Sequence, residues 1–244
     1  MRKRFGISLL LATLMLLSQV ISVGAYDPNS NIVPPDQTAY GKTYYQWAEA
    51  WYQWLFPLWG QKGVNLFGGS ECVSLNQNQE VFFLTGTSGG NHVERHCSIP
   101  AGRPLFFPVL NTAYFEDPAV YDHSMKPPYV PATWVKLLYQ ALAPDNTSLQ
   151  AWIDDVPVAN LRDYLVVTDP QKPFPVNIPA FGIKNWEGVQ GGFYLLVNPL
   201  SPGKHTIRIL ADQHQPVEIP VPEGVSPAAF PAFQVDLNIT LRVG

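Results

Sequence analysis

Basic residues are scarce in this sequence and cysteines scarcer: 15 Lys and Arg and two Cys in 244 residues, with only 14% charged. Each shortage excludes something. A nucleic-acid partner needs a basic footprint to neutralise phosphates, and no such footprint exists here. An acidic balance likewise disfavours docking on anionic lipid. The two cysteines, Cys72 and Cys97, do not form a Cys-x-x-Cys pair, which removes the commonest redox and zinc patterns. There is no P-loop and no dinucleotide fingerprint. Low charge combined with 13% aromatics is the reverse of a disordered composition.

The N-terminus carries a targeting signature instead. Met1-Arg2-Lys3-Arg4 is a positive n-region, Phe5 to Val20 is nearly all apolar, and Val23-Gly24-Ala25 offers small or β-branched residues before a cut. The apolar run is shorter than the ~20 residues a spanning helix needs, and no cysteine follows it for lipid attachment. A signal peptide over 1–25 is therefore expected, with cleavage after Ala25 and no stable membrane insertion afterwards. The expected location is secreted or periplasmic. The remaining chain, 26–244, holds twelve Lys and Arg against nineteen Asp and Glu, a net charge of −7. It is expected to form a single β-rich domain. In an oxidising compartment the two cysteines are expected to pair.

Helix enters the pattern once, strongly. Tyr40, Tyr44, Trp47, Trp51 and Trp54 recur at spacings of four, three, four and three, which places them on one helical face over about 38–56. Asp36 or Thr38 is the candidate cap and Pro57 the stop. A second short helix is expected from Trp134 to Leu142. Between and after them run short apolar stretches closed by some of the 24 prolines and 18 glycines: Val81–Leu84, Val93–Ile99, Leu105–Leu110, Leu149–Ile153, Val156–Leu161, Phe193–Val197 and Lys204–Ala211. Residues 112–131 and 169–179 look irregular. The last stretch is the clearest. Phe233, Val235, Leu237, Ile239, Leu241 and Val243 alternate with polar residues, which marks a strand with one wet face. The expectation is a mainly β protein, an antiparallel sandwich of immunoglobulin-like or jelly-roll kind, with an N-terminal aromatic helix and a second short helix.

Several blocks together resemble a family of exported bacterial proteins. They are Tyr44-x-x-Trp47-x-x-x-Trp51-x-x-Trp54; Phe82-Phe83-Leu84-x-Gly86 with Gly89-Gly90; and Cys97-x-Ile99-Pro100-Ala101-Gly102-x-x-Leu105-Phe106-Phe107-Pro108-Val109-x-Asn111. Ile153-Asp154 leading to Pro157-Val158-x-Asn160-Leu161 and Leu200-x-Pro202-Gly203-x-His205 complete the set. Such proteins often carry glycine where this chain has Asp155. The resemblance implies export and architecture, and it brings neither an activity nor a fixed trio of metal ligands.

Candidate chemistry falls in three places. His92, Glu94 and His96 would share one face of a strand, a first shell suited to zinc or iron in a cupin-like enzyme, with His205 or His214 as a further ligand. The plain alternative is the wet side of an edge strand and no cofactor. Trp47, Trp51 and Trp54, with Tyr114 and Tyr121 in the long loop, could stack on a small molecule, a glycan or an envelope protein, or the stripe could simply pack. Carboxylates at Asp154-Asp155, Glu116-Asp117 or Asp122 could serve glycoside hydrolysis, although Asp154-Asp155 reads first as a hairpin tip. The expected function is a non-catalytic binding or structural role outside the cytoplasm, the metal enzyme being the alternative.

Overall fold

The computed structural model describes residues 28–120, 130–219 and 228–244. The expected signal peptide, and with it Tyr121 and Asp122, lies outside them. In chain order the strands are β1 (Phe82–Phe83), β2 (His92–Ile99), β3 (Leu105–Glu116), β4 (Thr147–Ile153), β5 (Val156–Pro157) and β6 (Leu165–Val167). They continue with β7 (Phe174–Ile178), β8 (Ile183–Val197), β9 (Gly203–Gln213), β10 (Val217–Ile219), β11 (Ala228–Phe230) and β12 (Phe233–Val243). The two α-helices are α1 (Tyr44–Leu55) and α2 (Pro131–Ala141).

Two five-stranded sheets carry the fold. The first runs β1-β3-β8-β6, with β7 also on β8, and the second runs β2-β12-β9-β4-β5; β10 and β11 form a separate pair. Most pairings are antiparallel, but β1 runs parallel to β3 and β2 parallel to β12. That differs from a wholly antiparallel sandwich for a physical reason. Period-two alternation fixes which face a strand buries and carries no information about its neighbour's direction. For β12 the faces are as expected: Val235, Leu237, Ile239, Leu241 and Val243 are all buried.

The side chains of the first sheet sort by pleat. Phe106, Asn111, Ala113 and Phe115 of β3 share a face with Tyr194, Gly192 and Gly188 of β8, given their register. Helix α1 lies on this face, where Tyr44 meets Phe106 at 6.1 Å between ring centroids and Tyr52 stacks on Phe174 at 5.6 Å. The opposite face meets α2, whose Leu138 closes on Gly191 together with Leu142 just past the helix end, and touches the second sheet through β3, β4 and β9.

Helix α1 starts later than the expected residue 38. Thr43 caps it, not Asp36 or Thr38, in a reciprocal box with Gln46, a device worth about 1 kcal/mol. Tyr40 stands ahead of the helix at φ 52°. Past Leu55 the chain tightens into a 3-10 turn, Phe56–Leu58, so Pro57 bends the helix end and the rod does not simply stop. Trp47, Trp51 and Trp54 are all buried, and their indole N–H groups donate to Ala39, Leu84 and Leu75 carbonyls at 3.0, 2.8 and 2.9 Å. A buried tryptophan removes roughly 150–250 Å² from water, about 4–6 kcal/mol at 25 cal/mol/Å² before entropy is charged. That exceeds helix propensity by far, so packing of the stripe is what holds α1.

Two stretches expected to be irregular are strand. Residues 112–116 continue β3, and 174–178 form β7. Conversely, only Val156–Pro157 of the expected return strand to Leu161 is strand; Asn160, left-handed at φ 54°, then turns the chain into a 3-10 segment. Cys72 and Cys97 form the disulfide, with Cα atoms 5.0 Å apart. It ties the segment after α1 to β2, as does backbone pairing of Ser70 and Cys72 with His96. Among the described residues no helix is long and apolar enough to cross a membrane.

Candidate binding cleft beside β3

Strand β3 pairs with β8 along its whole length on one edge, but on the other, among the described residues, β1 covers only Leu105 and Phe106. Past that point β3 borders a cleft of about 420 Å³. One wall comes from α1 and its 3-10 extension: Trp51, Tyr52, Phe56 and Trp59. Phe115 forms part of the floor, while Phe67 and Phe233 close it from the loop side. The rings contact one another: Phe56 and Phe115 lie edge to face at 5.3 Å, and Trp59 meets Phe67 and Phe115 at 6.3 and 6.4 Å.

A few neutral polar groups interrupt this lining. Asn111 donates from Nδ2 to the Tyr52 hydroxyl at 2.8 Å, and Thr87, Ser88 and Thr112 sit at the margin. Burial pushes the Tyr52 phenol far above the ordinary tyrosine range, and that of Tyr194 behind it likewise, so this corner stays uncharged. No Asp, Glu, Lys, Arg or His is among the described lining residues. The cleft offers stacking surface and neutral hydrogen bonds.

Arg95 sets its lips. As expected from strand parity it points opposite to His92, Glu94 and His96, and it is 1% exposed. Its guanidinium donates to the carbonyls of Phe67 (2.7 Å), Gly69 (3.2 Å) and Thr85 (2.6 Å) and to Thr85 Oγ1 (2.9 Å). Desolvation lowers its pKa to about 10, which still leaves it charged at neutral pH. One side chain thus fastens the Phe67 loop to the strand that leads into Gly86, Thr87 and Ser88.

Of the binding residues proposed from sequence, Trp51 is the one among the described residues that lines this cleft. Trp47 and Trp54 are consumed in packing, and Tyr114 points to the other face of its sheet, where it meets Trp134 at 4.4 Å. Tyr52, Phe56 and Trp59 carried a signal of their own: spacings of four and three, a second stripe beside the first. It was hidden by reading Pro57 as a terminus. Gly86-Thr87-Ser88-Gly89-Gly90 fits Gly-x-Ser-x-Gly spacing. It runs from β1 toward β2, however, and lacks the strand–turn–helix setting of a nucleophile elbow.

His92, Glu94 and His96 do share the exposed face of β2. Both imidazole nitrogens of His92 are nevertheless occupied, Nδ1 by Asp236 at 2.6 Å and Nε2 by Glu94 at 2.8 Å. These hydrogen bonds, Asp236 first, raise the His92 pKa. Asp236 also takes a bond from Arg208, and Glu94 one from Asn238 at 2.7 Å; both carboxylates are held below their ordinary range, chiefly by Arg208 and Asn238 respectively. Among the described residues no group of three or more His, Cys, Asp and Glu is arranged to hold a metal ion.

Asp154 and Asp155 form the expected hairpin tip, with φ 51° and 62°, the consecutive left-handed pair of a type I′ turn. Asp154 is committed there. Its Oδ1 accepts from the Thr206 N–H at 2.8 Å and its Oδ2 from His205 Nδ1 at 2.6 Å. His205 Nε2 in turn lies 2.8 Å from the Ser201 carbonyl, so both nitrogens face acceptors, and the Asp154 bond in particular raises its pKa. When protonated, this imidazole donates from both nitrogens and staples the two turns together. Glu116 accepts from Tyr114 and from the Asp117 N–H.

No family model matches the chain, and no curated protein does. Among solved structures, a cysteine protease inhibitor from Entamoeba histolytica is similar over 67% of this chain and 96% of that one, at 10% identity and a TM-score of 0.23. A likeness that weak carries no argument about this protein.

Proposed function

We propose that this is an exported, non-catalytic binding protein whose cleft beside β3 takes an uncharged small molecule with a flat apolar face. The observation that carries the reading is the lining itself: about 420 Å³ walled by seven aromatic side chains and closed by neutral polar groups, with no charged side chain among the described lining residues. Concave apolar walls with a few convergent polar groups are the usual make-up of a ligand site. Export rests on the basic and apolar N-terminal segment and the disulfide. The acidic balance argues against nucleic acid as a partner.

Trp51 and Trp59 report on the cleft directly. Titrating a panel of neutral aromatic compounds against intrinsic fluorescence is expected to give saturable changes. Trp59→Ala is expected to reduce affinity at least tenfold while shifting the melting temperature little, because Trp59 is only partly buried. A panel that produces no saturable signal, or a variant that binds as the parent does, overturns the proposal.

A further inference from the structure

A second, narrower recess of about 210 Å³ shares Asn111, Thr112 and Phe233 with the cleft. Its other walls are of a different kind: Leu110, Leu142 and Pro231, with Gln213, and no aromatic ring besides Phe233. The pleat of β3 explains how two neighbouring hollows come to differ. Asn111 and Ala113 face α1, whereas Leu110 and Thr112 face the second sheet and α2. The two hollows meet at Asn111, Thr112 and Phe233, which line both.

From this pairing we infer that the ligand is a neutral alkyl-substituted aromatic. Its ring lies among Trp51, Phe56, Trp59 and Phe115, and its aliphatic tail passes Asn111, Thr112 and Phe233 into the recess. The inference rests on the cleft reading and deepens it. Rings gain from the offset and edge-on geometries that the aromatic lobe supplies. A saturated chain has no such preference and gains from area removed from water, which leucine and proline walls provide. Neither hollow has a charged side chain among its described lining, so a carboxylate or phosphate inside would be desolvated without a partner. The amide of Asn111 and the hydroxyl of Thr112 stand where ring and tail join.

The test is a calorimetric titration of the full-length mature protein at neutral pH with phenol, 4-ethylphenol, 4-butylphenol and 4-hexylphenol. Affinity is expected to rise about fourfold per added methylene, the equivalent of ~0.8 kcal/mol, and then to level off once the recess is full. Leu142→Phe and Pro231→Phe narrow the recess from two sides. Either is expected to abolish the gain from the tail while leaving phenol itself unaffected, and using both guards against one failing to fold. Phenol binding with affinity flat along the series overturns the tail and leaves the cleft reading standing. A tail effect that survives both folded variants overturns it too. Absence of binding across the series rejects the cleft reading together with the inference.

Discussion

Arg95 is a cation in the interior with no carboxylate beside it among the described residues; carbonyl dipoles alone hold it. Replacing it with methionine keeps bulk and leaves the Phe67, Gly69 and Thr85 carbonyls without their donor. At about 1–3 kcal/mol for a buried group left unsatisfied, Arg95→Met is expected to cost about 3 kcal/mol or more. Urea denaturation checks this, as a lowered midpoint with an unchanged slope. Arg95→Lys is expected to fall in the same direction, since an ammonium cannot reproduce the planar fork. The sequence revealed half of this. Alternation in β2 put Arg95 on the side of Cys97, but nothing local shows that carbonyls from residues 67 to 85 converge there. The same holds for Phe67 and Phe233, distant in sequence and brought to one cleft only by the fold.

At the scale of elements, β2, β12 and β9 carry a ladder on their wet face that responds to pH, and the hairpin tip of β4 and β5 adds a second device through His205. The sign follows from the pKa directions. His92 and His205 are raised above the ordinary histidine value near 6.5. Their contribution is therefore complete below about pH 6.5 and is lost as pH climbs through the raised values. Glu94 and Asp236 are depressed, so theirs is present above about pH 4 and lost only as pH falls further. The protein is expected to melt highest between about pH 4.5 and 6.5 and lower at pH 9, with His205→Gln flattening the alkaline decline; calorimetric melts across that range measure it. Elements themselves were legible where periodicity was strong. The stripe of α1 and the alternation of β12 found the right segments. Of β8 only Phe193–Val197 was expected as strand, and Gly188, Gly191 and Gly192 lie in the part that lacks an apolar run. They lie within the strand because neighbours crowd it: a Cβ on Gly192 would come within 2.5 Å of Asn111, and one on Gly191 within 2.8 Å of Leu142.

Over the whole molecule the bridge between Cys72 and Cys97 closes a loop of 25 residues. Removing it is expected to cost about 3.5 kcal/mol by loss of the constraint on the unfolded chain, roughly 10 °C in melting temperature for a protein of this size. Thermal melts of Cys72→Ser/Cys97→Ala beside the parent measure that difference. Class and layering were legible, since composition and turn residues point to sheets and the aromatic helix had to cover one of them. Strand direction was not, because pairing depends on contacts between residues such as Asp236 and His92 that the chain separates by 144 positions.

Strand β12 stands between β2 and β9 and is the sole strand neighbour of β2 among the described residues. The second sheet is therefore sewn shut by a segment that ribosomes deliver long after the one it must grip. Until residues 233–243 come free, β2 has no strand to zip onto, while β9, β4 and β5 can already join one another.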